Sequence, residues 1–509
     1  MKTPITLVVL ALFSMAAYGI ATVLFSDIST EMAASIGFSL DEVSLVSMGF
    51  TISQILGLIL TPLLLRKWGT HPVLQGALLT GIIVNGVFFM FSDNPVLFIG
   101  AWLCSGFSLS VLLVVTNLLV LDGVESRVAP IVIAAMLVFS TLLPLGAYPW
   151  AINALLEIFD WSLFTVLLMW LFFSAWIILL LYPPKPLMIE PKHKSGLVLY
   201  LVIGAAASGI VFLLMRGSYY NWMDSVKYSQ WTVFAAVLSL CAVYMLIKTR
   251  ENRLTATMQL HSKLKTNVFI YNAFIAGFAV SASTTLFATF ISQVLHYNSL
   301  NANYIQLPAF YAMVLGMLIS VLVYIYKRPL SDAIVPIGVV MILGSVYSFS
   351  QLPSSIDTNT LMMPIMLRGF GVGLLNVSVS ISVLMYFEPT QRIEGICSFY
   401  LFRTLGSLIG GAFFSQVIQG HSAQASTEIK RALDAASQGY VSYQQLYESV
   451  VRVNGNLPSA SMSMNQISSV VTDQVANIAL SNALIVFILS IFALAPILII
   501  GKKLAAKSS

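Results

Sequence analysis

The chain has 509 residues, of which 58% are hydrophobic and only 9% charged. Soluble domains carry about 25% charged residues, so a string of soluble domains is excluded and the composition is that of an all-α polytopic membrane protein. The net charge of +5 then belongs to loops facing lipid headgroups, and no nucleic-acid partner is expected.

About 20 apolar residues suffice to cross a bilayer. Fourteen stretches meet that need approximately: 4–25, 43–65, 73–92, 96–121, 130–155, 161–182, 196–215, 231–248, 267–295, 307–326, 333–349, 361–387, 396–420 and 477–501. The first is too long for the core of a signal peptide and has no clear cleavage site, so it reads as a retained helix. With Met1 inside, most of the 25 basic residues fall on inside loops, among them Lys2, Arg66, Lys67, Arg127, Lys192 and Arg392. That bias follows the positive-inside rule and predicts that both termini are cytoplasmic. Residues 183–195 read as a cytoplasmic linker, and the basic loop 249–266 lies near headgroups. The outside segment 216–231 is rich in Tyr and Trp, as an interfacial belt is. Residues 421–476 form one large outside loop, within which STEIKRALDAASQG and SYQQLYESVVRV read as short helices.

No catalytic or metal constellation emerges. Cys104, Cys241 and Cys397 fall inside apolar segments, and all five histidines are expected in loops. There is no HExxH, Walker loop, Rossmann fingerprint or GxSxG elbow. The expectation is therefore no enzyme, no metal and no cofactor.

The informative stretch is LMMPIMLRGFGVGLLNVSVSISVLMYF at 361–387. Arg368 lies about 10 Å along it at roughly 1.5 Å per residue, and a charge at such depth costs at least about 2.5–3.5 kcal/mol. It reads either as a fixed cation in a wet central chamber or as an arginine satisfied by helix-end carbonyls. Gly369, Gly371 and Gly373 would admit a close neighbouring helix. Arg403 reads as a gating or packing residue, or as a substrate contact. Tyr18, Gln54, Asn117, Asn272 and Asn376 are polar side chains expected toward a substrate pathway. Trp150 could stack on a ligand there or serve packing. Asp27 and Glu157, at helix ends, are the candidates for proton coupling, against the alternative of solvated interface carboxylates.

SGFSLSVLLVVTNLLVLDGVESR (105–127) aligns with RGFGVGLLNVSVSISVLMYFEPTQR (368–392) across a two-residue gap. The offset suggests two homologous six-helix halves with two extra helices between them. Such repeats place the substrate near the midplane, between the halves. The predicted units are 1–182, 183–266 with the two extra helices, and 267–509.

TPLLLRKWGTHPVLQG (61–76) resembles the helix 2–3 loop of the major facilitator superfamily, with Arg66, Lys67 and Gly69 in register. FRTLGSLIGGAF (402–413), PWAINALLEIFDW (149–161) and the end VTDQVANIALSNALIVFILSIFAL are similar to the fourteen-helix drug:proton antiporters of the EmrB/QacA type. The resemblance implies the major facilitator fold, with gating by Arg66 and Lys67. It also implies proton-coupled export of amphipathic small molecules across a bacterial inner membrane; the alternative is an inner-membrane subunit whose outside loop 421–476 docks a periplasmic membrane-fusion adaptor, of the kind that serves some members of the family. The sequence departs from the family at its proton-coupling positions: Ala21 replaces an aspartate, and Trp102 replaces an arginine. The scarcity of buried carboxylates argues against strongly dicationic cargo and leans toward neutral, monocationic or anionic compounds, with selective transport of a siderophore or other anionic metabolite as the alternative.

Overall fold

A computed structural model of the protein describes residues 3–27, 34–91, 94–184, 197–251, 264–326, 328–351, 358–432 and 460–507. Most of the predicted linker at 183–195, most of loop 249–266 and the predicted helix SYQQLYESVVRV lie outside these residues.

The first helices are α1 (Thr3–Asp27), α2 (Leu40–Trp68), α3 (Thr70–Met90) and α4 (Pro95–Gly123). Their starts are chemically marked. The Ser39 hydroxyl accepts from the Glu42 amide while the Glu42 carboxylate accepts from the Ser39 amide, a reciprocal cap that satisfies otherwise orphaned donors. Asn94 caps α4 ahead of Pro95, whose missing N–H is harmless at a first turn. Gly69, at φ 79°, makes the reversal between α2 and α3, a conformation that is strained for other residues.

Next come α5 (Ala129–Gly146), α6 (Tyr148–Leu156) and α7 (Ser162–Leu181). Inside α5 the chain widens into a π-helical turn at Val138–Leu142, just before Pro144. Proline has no N–H to continue the ladder, and such bulges frequently mark functional sites. The extra pair is α8 (Leu197–Arg216) and α9 (Val226–Glu251). The second group comprises α10 (Leu264–Thr289, prolonged by a π turn at Phe290–Val294), α11 (Ser299–Ile305) and α12 (Leu307–Tyr326). It ends with α13 (Arg328–Ser350), α14 (Thr358–Leu384), α15 (Arg392–Ala432) and α16 (Ala460–Lys507). The expected separate helix STEIKRALDAASQG is, as far as Ala432, a continuation of α15.

Among the described residues, thirteen helical spans are long and apolar enough to cross a membrane. The stretch expected at 333–349 corresponds to the shorter apolar run Ile334–Ser350 in α13.

The two groups repeat one packing plan. In the first, α4 lies against α2 and α3; in the second, α14 lies against α12 and α13. Glycine makes the second contact possible. A Cβ on Gly373 would stand 2.2 Å from the Met313 carbonyl oxygen, and one on Gly369 2.3 Å from that of Ala309. In the same way Gly406 of α15 sits against the Phe274 carbonyl of α10. Small residues are what let membrane helices approach this closely.

The extra pair rides mainly on the first group, through α8 against α2. Arg216 closes that contact, donating to Asp41 Oδ1 at 2.6 Å and to Ser44 Oγ at 2.7 Å while its guanidinium stacks over Tyr219.

Candidate functional site

Between the groups lies a cavity of about 500 Å³, within the usual size range of small-molecule sites. Its wall draws Tyr18 and Thr22 from α1 and Ser47, Phe50, Thr51 and Gln54 from α2. Trp102 and Ser110 come from α4, and Ser140, Thr141 and Pro144 from the π-turn region of α5. The second group supplies Gly277 and Val280 from α10, Asn376 from α14, and Tyr400, Arg403, Thr404 and Ser407 from α15. The wall is thus rich in hydroxyls and aromatics, and Arg403 is the one Lys, Arg, Asp, Glu or His among these lining residues.

Arg403 is held from α14. Its Nη2 donates to Asn376 Oδ1 at 3.0 Å, and its Nη1 reaches Ser380 Oγ at 3.4 Å. Asn376 and Ser380 are four residues apart, one helical turn, so both face the same neighbour. The main chain also comes close there: a Cβ on Gly277 would stand 2.2 Å from the Arg403 carbonyl oxygen.

On one side the cavity is closed by charge. The end of α2, the end of α4 and the start of α15 meet at the face where α2 turns into α3, termed the near face here. Arg66 of α2 pairs with Glu394 of α15, and Arg392, just before it, pairs with Asp122 of α4. Arg392 also donates to the Leu121 carbonyl at 3.1 Å. Both ion pairs join the first group to the second. Glu394 is buried, whereas the Arg392–Asp122 pair is partly wetted.

The predicted residues distribute unevenly. Tyr18, Gln54 and Asn376 line the cavity. Asn117 donates to the Leu113 carbonyl of its own helix at 2.8 Å and sits beside Tyr400, one layer behind the wall. Asn272 is buried on α10 and Trp150 half-buried on α6, neither on the cavity wall. Glu157 is exposed at the end of α6. Asp27 ends α1, and its side chain lies outside the described residues. Lys67 is exposed over the Trp68 ring and is absent from both cross-group pairs, so of the two expected gating cations Arg66 has the partner.

The two intramembrane arginines exchange their expected places. Arg368 was expected at the central space, but it is buried inside the second group. It donates to Thr284 Oγ1 at 2.6 Å and Ser283 Oγ at 3.4 Å, with Phe287 under its guanidinium. Both hydroxyls in turn donate to the Val280 carbonyl. The reason is helical phase: eight residues at 100° each leave Arg368 about 80° around α14 from Asn376. Arg403, expected at a gate near a helix end, lies in the cavity because α15 begins at Arg392. Eleven residues of helix carry it about 16 Å from that end.

Glu394, Asp122 and Arg392 were missed as ion-pair residues joining the two groups. Each reads locally as a boundary charge, and the partners of the buried pair are 328 residues apart. A readable sign did exist on α15, where Tyr400, Arg403, Thr404 and Ser407 fall at the spacing of one helix face.

Two groups of membrane-spanning helices around a polar central cavity, sealed at one face by reciprocal ion pairs, define an integral-membrane carrier. The profile of the Major Facilitator Superfamily matches residues 7–411, and the chain belongs to that family of membrane transporters of small molecules. Among solved structures, the chain is similar to the human organic anion transporter MFSD10 (TETRAN), with a TM-score of 0.57 and 13% identity over 97% of this chain and 100% of that one. It is also similar to a mutant of the nucleoside transporter NupG, with a TM-score of 0.51 and 13% identity over 96% and 99% of the two chains. At these identities the likeness is one of fold. A comparison with curated protein sequences gives no significant match.

Proposed function

We propose that this transporter moves anionic amphipathic small molecules by secondary active alternating access. The observation that carries the reading is Arg403, the single formal charge among the described residues lining the cavity. A fixed cation in a cavity bounded by apolar helices attracts an acidic group strongly, because the surrounding dielectric screens it little. Phe50 and Trp102, on the opposite wall, suit an aromatic or aliphatic body. The same wall contributes no carboxylate, which weighs against strongly cationic drugs as cargo.

The near-face ion pairs serve as the gate that opens when the helix groups rock. Counting α13 as the fourteenth span puts both chain ends on the near face. The basic loops then make that face cytoplasmic, in a bacterial inner membrane, with bundles at 1–182 and 267–509. Export driven by the proton gradient is the direction that the EmrB/QacA resemblance supports.

The test is flux in proteoliposomes of matched probes: 1-naphthoate, 1-naphthamide and 1-naphthylmethylamine, with and without a protonophore. The carboxylate should move fastest, its flux should fall when the gradient collapses, and Arg403→Gln should abolish its advantage. Preferred transport of the amine would overturn the reading.

A second reading concerns docking of a periplasmic adaptor. At roughly 1.5 Å per residue, the 41 residues of α15 reach about 60 Å, twice the hydrocarbon thickness of about 30 Å. The helix therefore projects from the far face toward the predicted loop. Deleting residues 433–459 should abolish adaptor capture and leave vesicle flux intact; retained capture would exclude the loop as the docking element.

A further inference from the structure

The carboxamide of Asn376 has a fixed orientation. Its Oδ1 accepts from Arg403 Nη2 at 3.0 Å, so its Nδ2 must be the other atom; reversing the group would set two donors against each other. Asn376 is buried, it lines the cavity, and its Nδ2 has no acceptor on the protein. A buried amide hydrogen without a partner is unusual in folded proteins and calls for an explanation. Here it lies on the same carboxamide that grips the only formal charge on the described wall. Two donors, one of them charged, are thus held side by side by one hydrogen bond. Ser380 braces the guanidinium from below.

We propose that Asn376 is the specificity-determining residue of the cavity and that it completes, with Arg403, a two-donor cradle for a carboxylate. This rests on the anion reading of the cavity and extends it to the group recognised. One carboxylate oxygen takes the guanidinium and the other takes the Asn376 amide, the side-by-side geometry that favours carboxylates over single-point anions. A neutral amide of the same shape brings only one acceptor, and its own donors oppose those of the cradle. An ammonium meets a like charge. The arrangement also explains why an asparagine holds Arg403 where an aspartate would bond it more strongly. An aspartate at 376 would neutralise the guanidinium and leave nothing to attract an anion.

Binding of 1-naphthoate, 1-naphthamide and 1-naphthylmethylamine to the full-length protein in nanodiscs tests this, read as quenching of intrinsic tryptophan fluorescence. The wild type should prefer naphthoate to naphthamide by at least about tenfold, the scale of one charge-assisted hydrogen bond. Asn376→Asp, nearly isosteric, should erase that preference and improve binding of the amine. Asn376→Ser, which removes the amide without adding charge, should weaken naphthoate about tenfold and leave naphthamide within a factor of three. A monodisperse gel-filtration peak checks each variant's fold. Asn376→Asp also cancels the Arg403 charge, so the deciding readout is Asn376→Ser: a merely structural role would weaken naphthoate and naphthamide alike. If the wild type prefers the carboxylate and Asn376→Ser keeps that preference, the cradle is wrong while the anion reading stands. A wild type with no carboxylate preference overturns both.

Discussion

Glu394→Gln isolates the proposed gate. The Glu394 side chain is 3% exposed and that of Arg66 14%, so neither charge is well served by water. Breaking a buried pair by removing one partner costs about 3–5 kcal/mol. Glutamine keeps one acceptor and Arg66 keeps some water, so the low end applies, about 3 kcal/mol. Nearly all of that cost falls on the state in which α2 and α15 meet. The equilibrium between closed and open near faces should therefore shift by roughly 150-fold, at 1.4 kcal/mol for each factor of ten. The Arg392–Asp122 pair provides the contrast: its side chains are 21% and 20% exposed, and wetted pairs contribute about 1 kcal/mol or less. Asp122→Asn should shift the same equilibrium only about fivefold. Spin labels at Ser126→Cys and Pro389→Cys, both exposed at the near face on opposite helix groups, would report the distance in a background lacking the three native cysteines. Glu394→Gln should populate a longer distance, and the exchange Arg66→Glu with Glu394→Arg should restore the short one. An unchanged distance distribution in Glu394→Gln, or an effect no larger than that of Asp122→Asn, would refute the assignment of the gate to the buried pair.

Arg368→Met should leave carboxylate selectivity unchanged and alter unfolding stability by no more than about 1 kcal/mol. The hydroxyls of Ser283 and Thr284 keep the Val280 carbonyl as acceptor, and replacing a buried charge by an apolar group of similar volume is often neutral. Loss of the naphthoate preference would return Arg368 to the substrate pathway. Gly406→Val should sharply lower thermal stability and monodisperse yield, since its Cβ would stand 2.2 Å from the Phe274 carbonyl oxygen and overpacking costs about 1–3 kcal/mol. Gly86→Ala is the control, with no atom within 4 Å of the added carbon; equal damage at both sites would show that close packing is not the cause.

What could be read from sequence divides by physical range. Span positions depend on composition within some 20 residues, so the apolar stretches fall on the observed helices, and the alignment of 105–127 with 368–392 anticipates the shared packing of α4 and α14. The glycines of α14 were legible as well, since a glycine series in a membrane helix has little purpose except close approach. Which arginine faces the cavity was not legible, because that depends on helical phase and on where a helix starts. Taking α15 to begin at 396 rather than Arg392 put Arg403 too near the face. Treating Arg368 by its depth alone ignored its rotation from Asn376.

Rotation also separates the roles of the two buried guanidiniums. Arg368 is solvated inside one helix group by two hydroxyls that donate onward to a backbone carbonyl. Arg403 is braced by Asn376 and Ser380 but has no carboxylate beside it among the described lining residues, so its charge acts on the cavity. Between the groups, charge is arranged in the opposite way: Arg66 and Asp122 on one side meet Glu394 and Arg392 on the other, and the gate neutralises itself when shut. The net charge at the seam is then zero in the closed state, while the cavity stays positive. In the proposed cycle an anion entering the cavity would be attracted by Arg403, and the ion-paired seam would add no net charge of its own. Binding and gating separate in this way only if the cavity cation and the seam charges lie at different depths, as the 16 Å of helix between Arg392 and Arg403 provides.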